Sequence, residues 1–600
     1  MPYFGIPIRN GLPIGLGSVA GFGIAPFEPY SLFENGEQGA WYDPSDFSTL
    51  FTDSAGTTPV TAVEQFVGLM LDKSKGLVLG SELVANGDFS GGTTNWLVYS
   101  ASATFAVVGG VGTVTTVTSS GGIYQDFSGL TIGRTYRFSV LVIAGTADAI
   151  IQIGTSPFTG AAFQQIGANG QITGVFVASA TTLSISLRVN NASAGQTCSF
   201  DNISVRELPG NHATQTTSAK RPKLAARYNL LTYTEQFDNA AWTKGRSSVT
   251  ANANTAPDGT TTADKLVEDT TASNTHFASQ AVTTGQGPHV FTVFAKAAER
   301  FRFILEHSVS PQPQAVFNVQ AGTVVSTSGS PISASITNVG AGWYRCQVVA
   351  NLTTAGSFRL FLQDNAGNTS YTGDGTSGIY IWGADLRPDS QATGLIGPTY
   401  QRVVDAATYD TAGFLPYLAF DGLDDSMSTN SIDPGAVDKA QVFAGVRKLS
   451  DATLQTIVQT SVNPDINNGT ISLISAIPPT IFQLYWQLRG TTRIDGTITS
   501  GFQTPVSGVV TSLFDISQAT PATEIIGRIN GTQRTLTYSG ASDAGTGNFG
   551  NYPLFIGANN NASAFFNGWL SSLIVRFGAN LSQSQIEATE SWVNGKTGAY

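Results

Sequence analysis

Cleaving a glycosidic bond takes two carboxyl groups about 5 to 10 Å apart. In this 600-residue chain the densest acidic run is DGLDD, with Asp421, Asp424 and Asp425. Aspartates beside a glycine also bond their own backbone in turns, and a turn is the expected role here. The four histidines, His212, His276, His289 and His307, are scattered, none at the i, i+4 spacing of a metal pair. No Gly-x-Ser-x-Gly elbow, phosphate loop or Cys-x-x-Cys is present. No catalytic residue is assigned, and the chain is read as a non-enzyme.

Binding a sugar needs other groups: aromatic faces for its C–H surface, amides and charges for its hydroxyls. The run IFQLYWQLRG alternates. It sets Phe482, Leu484, Trp486 and Leu488 on one face, and Tyr485, Gln487 and Arg489 on the other. Tyr485, Gln487 and Arg489 form the candidate glycan-binding row; a solvated strand face fits the same pattern. Trp96, Trp242, Trp343 and Trp569 are expected in cores.

These groups need elements to hold them, and the composition says which kind. At ~150 residues per domain the length allows three to five domains. Only 12% of residues are charged, while 41% are hydrophobic and Gly (66) and Pro (25) are plentiful. That hydrophobic share excludes simple disorder, and the profile is turn-rich and β-rich. A net charge of −11 with no basic stripe argues against nucleic acid and anionic membrane surfaces. No apolar run reaches the ~18 residues of a membrane span. Cys198 and Cys346 are expected as separate buried thiols. The first 35 residues are apolar and Gly-rich, with Arg9 and Glu28 among their few charges. Pro2, Pro7 and Pro13 and the lack of a leading basic residue argue against a secretion signal. This segment is either a strand pair within its own domain or an anchor that docks onto a larger assembly.

Helical periodicity is scarce. One helix is predicted over residues 582–594, capped by Ser582 or Ser584 and ended by Gly595. A short amphipathic piece is predicted over 60–71. Elsewhere alternation dominates: TYRFSVLVIAG puts Tyr136, Phe138, Val140 and Val142 on one face. The fold class is all-β, built of sandwiches.

An internal repeat runs through the middle of the chain. NGDFSGGTTNW (86–96) opens a segment that closes on CSFDNISVREL (198–208); YTEQFDNAAWTK (233–244) opens another that closes on SGIYIWGADLRP (377–388). The opening NGDFSGG and closing FDNISV resemble the carbohydrate-binding-module jelly rolls of glycan-degrading enzymes, the second copy being more divergent. The resemblance implies a structural Ca²⁺ between first and last strands, held by Asp88 and Asp201, residues that also suit turn capping. In the second copy Gln236 or Asp238 with Asp385 matches less well.

The remaining pieces resemble laminin-G-like and concanavalin-like sandwiches, read discontinuously. Trp41, Tyr42 and Asp43, then LDKS (71–74), continue at GNHATQ (210–215), Arg221 and Pro222, then LAFDGLDDSMST (418–429) and FFNGWLSSLIVRFG (565–578). Two jelly rolls, 76–209 and 228–395, are thus expected as insertions into a sandwich made of 36–75, 210–227 and 396–600; a string of separate domains is the alternative. The clustered Glu-x-Asp-x-x-Glu strand of glucanases with this fold is missing. GAWYDPSDFSTLF and NLLTYTEQFDNAAW are similar to proteins of tailed bacteriophages, of the fibre or appendage sort. That resemblance implies a virion location, docking to other virion proteins through residues 1–35, adhesion to bacterial surface polysaccharide, and a homotrimer. A decoration protein with no glycan ligand and a polysaccharide depolymerase are the alternatives.

Overall fold

Alternating runs bury one face only when a second sheet covers it, and the described residues pair six sheets into three sandwiches. The computed structural model describes residues 27–600, apart from 119–120, 144, 168, 192, 285–286, 354, 393–397 and 477–482. Phe482 and most of the expected N-terminal anchor lie outside the described residues. Strands make up 48% and helices 6% of the structure, so the protein is all-β. Every strand pair is antiparallel, as hairpin-connected sandwiches require. Among the described residues no helix is long and apolar enough to cross a membrane.

The largest sandwich takes strands from three stretches of the chain. One sheet holds Gln38–Tyr42, Lys223–Ala225, Tyr417–Asp421, Lys439–Lys448, Val506–Asp515 and Asn567–Phe577. The facing sheet holds Leu69–Met70, Ala213–Thr214, Met427–Ile432, Thr470–Ala476 and Leu484–Arg489 among others. Tyr42, Leu224, Val442, Trp486, Ile556 and Val575 interdigitate in its core. The strands from Leu97–Val98 to Thr197–Glu207 form a second sandwich over Phe138, Ile151, Leu187 and Phe200. Those from Thr243–Gly245 to Gly378–Pro388 form a third over Trp242, Phe291, Phe358 and Leu386.

The last two sandwiches share one strand plan. In one sheet the order by position is Leu97–Val98, Gly122–Ser128, Thr182–Val189, Ala149–Ser156, Thr159–Gly167. Its counterpart runs Thr243–Gly245, Phe277–Val282, Gly356–Gln363, Arg302–His307, Gln314–Asn318, with one further strand, Thr323–Ser328. Below they are called the 97–207 and 243–388 sandwiches.

Buried polar staples hold the points where the chain leaves and re-enters the large sandwich. The Asp72 carboxylate accepts from Trp41 N (2.8 Å), Ser74 N (2.8 Å) and Asn211 N (2.7 Å), joining the departing and returning segments. At the second point Gln401 Oε1 accepts from Tyr228 N (2.7 Å) and Asn229 N (2.9 Å), while its Nε2 donates to Ala226 O (2.8 Å). Both side chains are fully buried, where a lost partner costs about 1–3 kcal/mol.

Two local expectations are corrected. The helix spans Gln583–Thr597, with a Ser582 capping box and Gly598 as its left-handed C-cap, so Gly595 lies inside it. Residues 60–71 form no helix, because their amides bond neighbouring strands: Val60 N to Leu50 O (2.9 Å), Val67 N to Pro222 O (2.9 Å). Cys198 and Cys346 are both free and buried. Trp96, Trp242 and Trp343 are core residues; Trp569 is half-buried, stacked on Tyr417 at 4.1 Å.

Candidate functional site

The row expected from the sequence is closed. Tyr485 and Gln487 are 5% and 2% exposed, because the loop before Gly469 covers their face. Gln487 Nε2 donates to Pro464 O (3.2 Å) and Asp465 Oδ1 (3.0 Å), and the Tyr485 hydroxyl accepts from Arg493. Only Arg489 is half-exposed, bonded to Asn468 Oδ1 at 3.4 Å. A stacking platform needs an open ring face, which Tyr485 lacks.

An open aromatic cluster lies instead on the outer face of the 97–207 sandwich. Strand register lays Tyr124, Ser186, Gln152 and Gln164 in one row across four strands, and Gly122, Arg188 and Ile150 in the next. Their neighbours in sequence, Ile123, Leu187 and Ile151, fill the core, so period-2 alternation turns this set outward. Tyr99, 51% exposed, follows the edge strand Leu97–Val98 and meets Phe158 at 4.3 Å between ring centroids. Tyr124 stands 6.4 Å from each of them. The Arg188 guanidinium lies 5.3 Å from the Phe158 centroid and has no ion pair among the described residues.

Phe158 occupies the hairpin between Ala149–Ser156 and Thr159–Gly167 with φ +61°, a left-handed conformation that is an outlier for a bulky residue. Its amide donates to Ser186 Oγ (3.1 Å). Only glycine fits at position 122: a Cβ there would stand 2.3 Å from Leu187 O and 2.9 Å from the Phe158 ring. The Gln152 amide oxygen in this row is buried and has no hydrogen-bond partner among the described residues. Open rings and a guanidinium with no ion pair among the described residues can stack on a C–H surface and bond hydroxyls. The sequence signal that could have found this face is an aromatic in a hairpin turn, SPFTG, beside IYQDFS and WLVYS.

The equivalent face of the 243–388 sandwich is also aromatic, but its charges are engaged. Phe277 and Phe361 are cross-strand partners 5.0 Å apart. Arg359 lies 5.3 Å from the Phe361 centroid and is ion-paired to Glu306. Arg246, near Phe277, donates from Nε to Thr275 O at 2.8 Å.

Asp88 and Asp201 are brought close enough for Asp88 to push the Asp201 carboxyl up, behind the larger effect of burial. Asp88 Oδ1 accepts from Ser90 N (3.1 Å) and Asp201 Oδ1 from Asn202 N (2.7 Å), so both also cap turns. Two carboxylates are fewer than the six to eight oxygens calcium takes, leaving backbone carbonyls and water to complete a shell. In the 243–388 sandwich Asp385 is not available as a ligand: Arg387, two residues on and on the same strand face, donates to it from Nε at 2.8 Å. Asp264 instead accepts from Phe237 N (2.7 Å) and Asn252 N (2.9 Å), and burial raises its carboxyl to about 6. Gln236 and Asp238 line the same 330 Å³ cavity as Asp264.

Asp421, Asp424 and Asp425 bring their carboxylate oxygens within 4.8 Å of one another. Burial, then Asp421 and Asp424, raise Asp425 to about 7. Asp421 Oδ1 accepts from Leu423 N (2.8 Å) and Asp425 Oδ2 from Asp421 N (3.1 Å), the hydrogen bonding of a turn.

No protein-family model matches the chain, and no curated protein sequence matches it. A solved structure titled "CBM4 structure and function" is similar over 21% of this chain and 99% of its own length, at 18% identity and a TM-score of 0.19.

Proposed function

We propose that the protein is a binding component of a tailed-bacteriophage virion that adheres to bacterial surface polysaccharide. The observation that carries the binding half is the open Tyr99, Tyr124 and Phe158 cluster with unpaired Arg188 beside it. The virion half is supported by the similarity of GAWYDPSDFSTLF and its companions to phage appendage proteins. In this reading residues 1–35 dock to the particle, 76–209 and 228–395 are insertions in the large sandwich, and a homotrimer offsets weak single-site affinity by avidity. Asp88 and Asp201 are the proposed residues of a structural calcium site. The self-paired Phe277 and Phe361 face favours a second role, bracing, for the 243–388 sandwich.

Incubating the protein with host surface polysaccharide, with and without EDTA, tests this through retention and new reducing ends measured together. Retention without new ends is expected, weakened by EDTA. New reducing ends would overturn the non-enzyme reading, and failure to bind any of a broad panel would leave the bracing role alone.

A further inference from the structure

A large cavity lies away from the aromatic face, where the 97–207 sandwich meets the large one. It measures about 820 Å³, lined by Lys75 and the returning segment Glu207–His212, by the turn at Thr131–Thr135, and by Asn430, Asp433 and Asn551. A second hollow of about 390 Å³ shares Gln38 and Asp433 with it, so the two adjoin as one groove. The walls are fixed to each other. Asn430 Nδ2 donates to Gly133 O (3.0 Å), and Leu69, Leu71, Val175 and Leu208 form a small apolar seam between the sandwiches. A preformed cleft saves a ligand the ordering cost of closing it.

Its chemistry differs from that of the aromatic face. Among the described residues no Phe, Tyr or Trp lines it; the surface is mostly amide, hydroxyl and charge, with Ile132, Leu208 and Pro209 between. Lys75 donates to the Glu37 carbonyl at 2.7 Å and has no carboxylate partner among the described residues. Burial lowers its pKa, outweighing the nearby Asp72 and Glu37 carboxylates, with Arg134 adding to the lowering. Arg134 reaches the same cleft from the other sandwich, with Nη1 on Glu207 at 2.7 Å, leaving further donors of its fork. Two cations from two sandwiches thus reach one cleft, beside amides and the carboxylates of Glu207, paired to Arg134, and Asp433, in a volume far larger than a small inorganic anion needs.

We propose that this cleft binds an acidic sugar residue, its carboxylate held by Lys75 and Arg134 and its hydroxyls by Asn430, Asn551 and Gln38. The site is separate from Tyr99 and Phe158 and does not rest on the aromatic face being a binding site.

The test is calorimetric titration of the full chain with trigalacturonate and with its methyl ester, in low salt. Lys75→Gln, Arg134→Gln and Tyr99→Ala are measured beside it, with thermal melts to confirm folding. The acid is expected to bind at least tenfold more tightly than the ester, with each cation variant losing about tenfold. Equal binding of acid and ester, no binding of the acid, or unchanged affinity in both cation variants would overturn the cleft assignment. Loss of acid binding in Tyr99→Ala with retention in the cation variants would move the site to the aromatic face.

Discussion

The 97–207 and 243–388 sandwiches have matching strand orders and aromatic rings on matching faces, yet differ in how their charges are held. In the first, Arg188 stacks on Phe158 and pairs with no carboxylate among the described residues. In the second, Arg359 is closed onto Glu306, which is 6% exposed. An open guanidinium beside open rings is a surface that still has hydrogen bonds to make; a guanidinium already on a buried carboxylate has few. One strand plan can therefore carry an open charged face in one copy and a closed one in the other.

Substitutions at the two faces should separate these roles. Replacing Tyr99 and Phe158 together with Ala is expected to lower polysaccharide affinity about 700-fold, from hot-spot values of roughly 2 kcal/mol each. Phe277→Ala with Phe361→Ala should leave affinity unchanged in the same retention assay. Stability should respond the other way. Arg359→Gln strands Glu306 and should cost about 2–3 kcal/mol in denaturant unfolding, toward the low end for a broken buried pair because Arg359 is 23% exposed. Arg188→Gln should lower affinity about five- to tenfold while moving stability by less than ~0.5 kcal/mol. An Arg188→Gln variant as destabilised as Arg359→Gln would erase the distinction.

How much of this could be read from the sequence depended on where the constraint lay. Alternation in TYRFSVLVIAG became the strand Thr135–Ile143, with Tyr136, Phe138, Val140 and Val142 buried, because a two-residue period needs no distant information. Tyr485 and Gln487 were set on the face opposite Trp486, but what covers that face is a loop some twenty residues earlier, which periodicity does not report. Asp385 was a poor ligand candidate for a reason visible in the sequence: two residues along a strand is the same face, and Arg387 stands there. Phe158 escaped because it sits in a turn, where alternation carries no signal, although an aromatic in a turn is itself unusual.

The two points where the chain leaves and re-enters the large sandwich differ as well, and pH sharpens that difference. His212 Nδ1 accepts from Asp72 N at 2.9 Å, which places its proton on Nε2, near Leu208 O at 3.2 Å. Burial lowers its pKa, outweighing Asp72. The neutral ring's contribution is therefore complete above the ordinary 6.5 and is lost as pH falls toward the lowered value. Gln401, at the other point, does not titrate. Between pH 6.5 and 5 the parent should lose up to about 1.4 kcal/mol per pH unit relative to His212→Asn, which retains an acceptor. Parallel pH profiles for the two proteins would show that the ring is not part of the staple.

Hydrogen exchange on the full chain, with and without bound polysaccharide, tests the central claim most directly. The account expects added protection in Gly122–Ser128, Ala149–Ser156 and Thr182–Val189, around the Tyr99 and Phe158 rings, and none in Phe277–Val282 or Gly356–Gln363. Equal protection of both faces, or protection confined to the second, would contradict it.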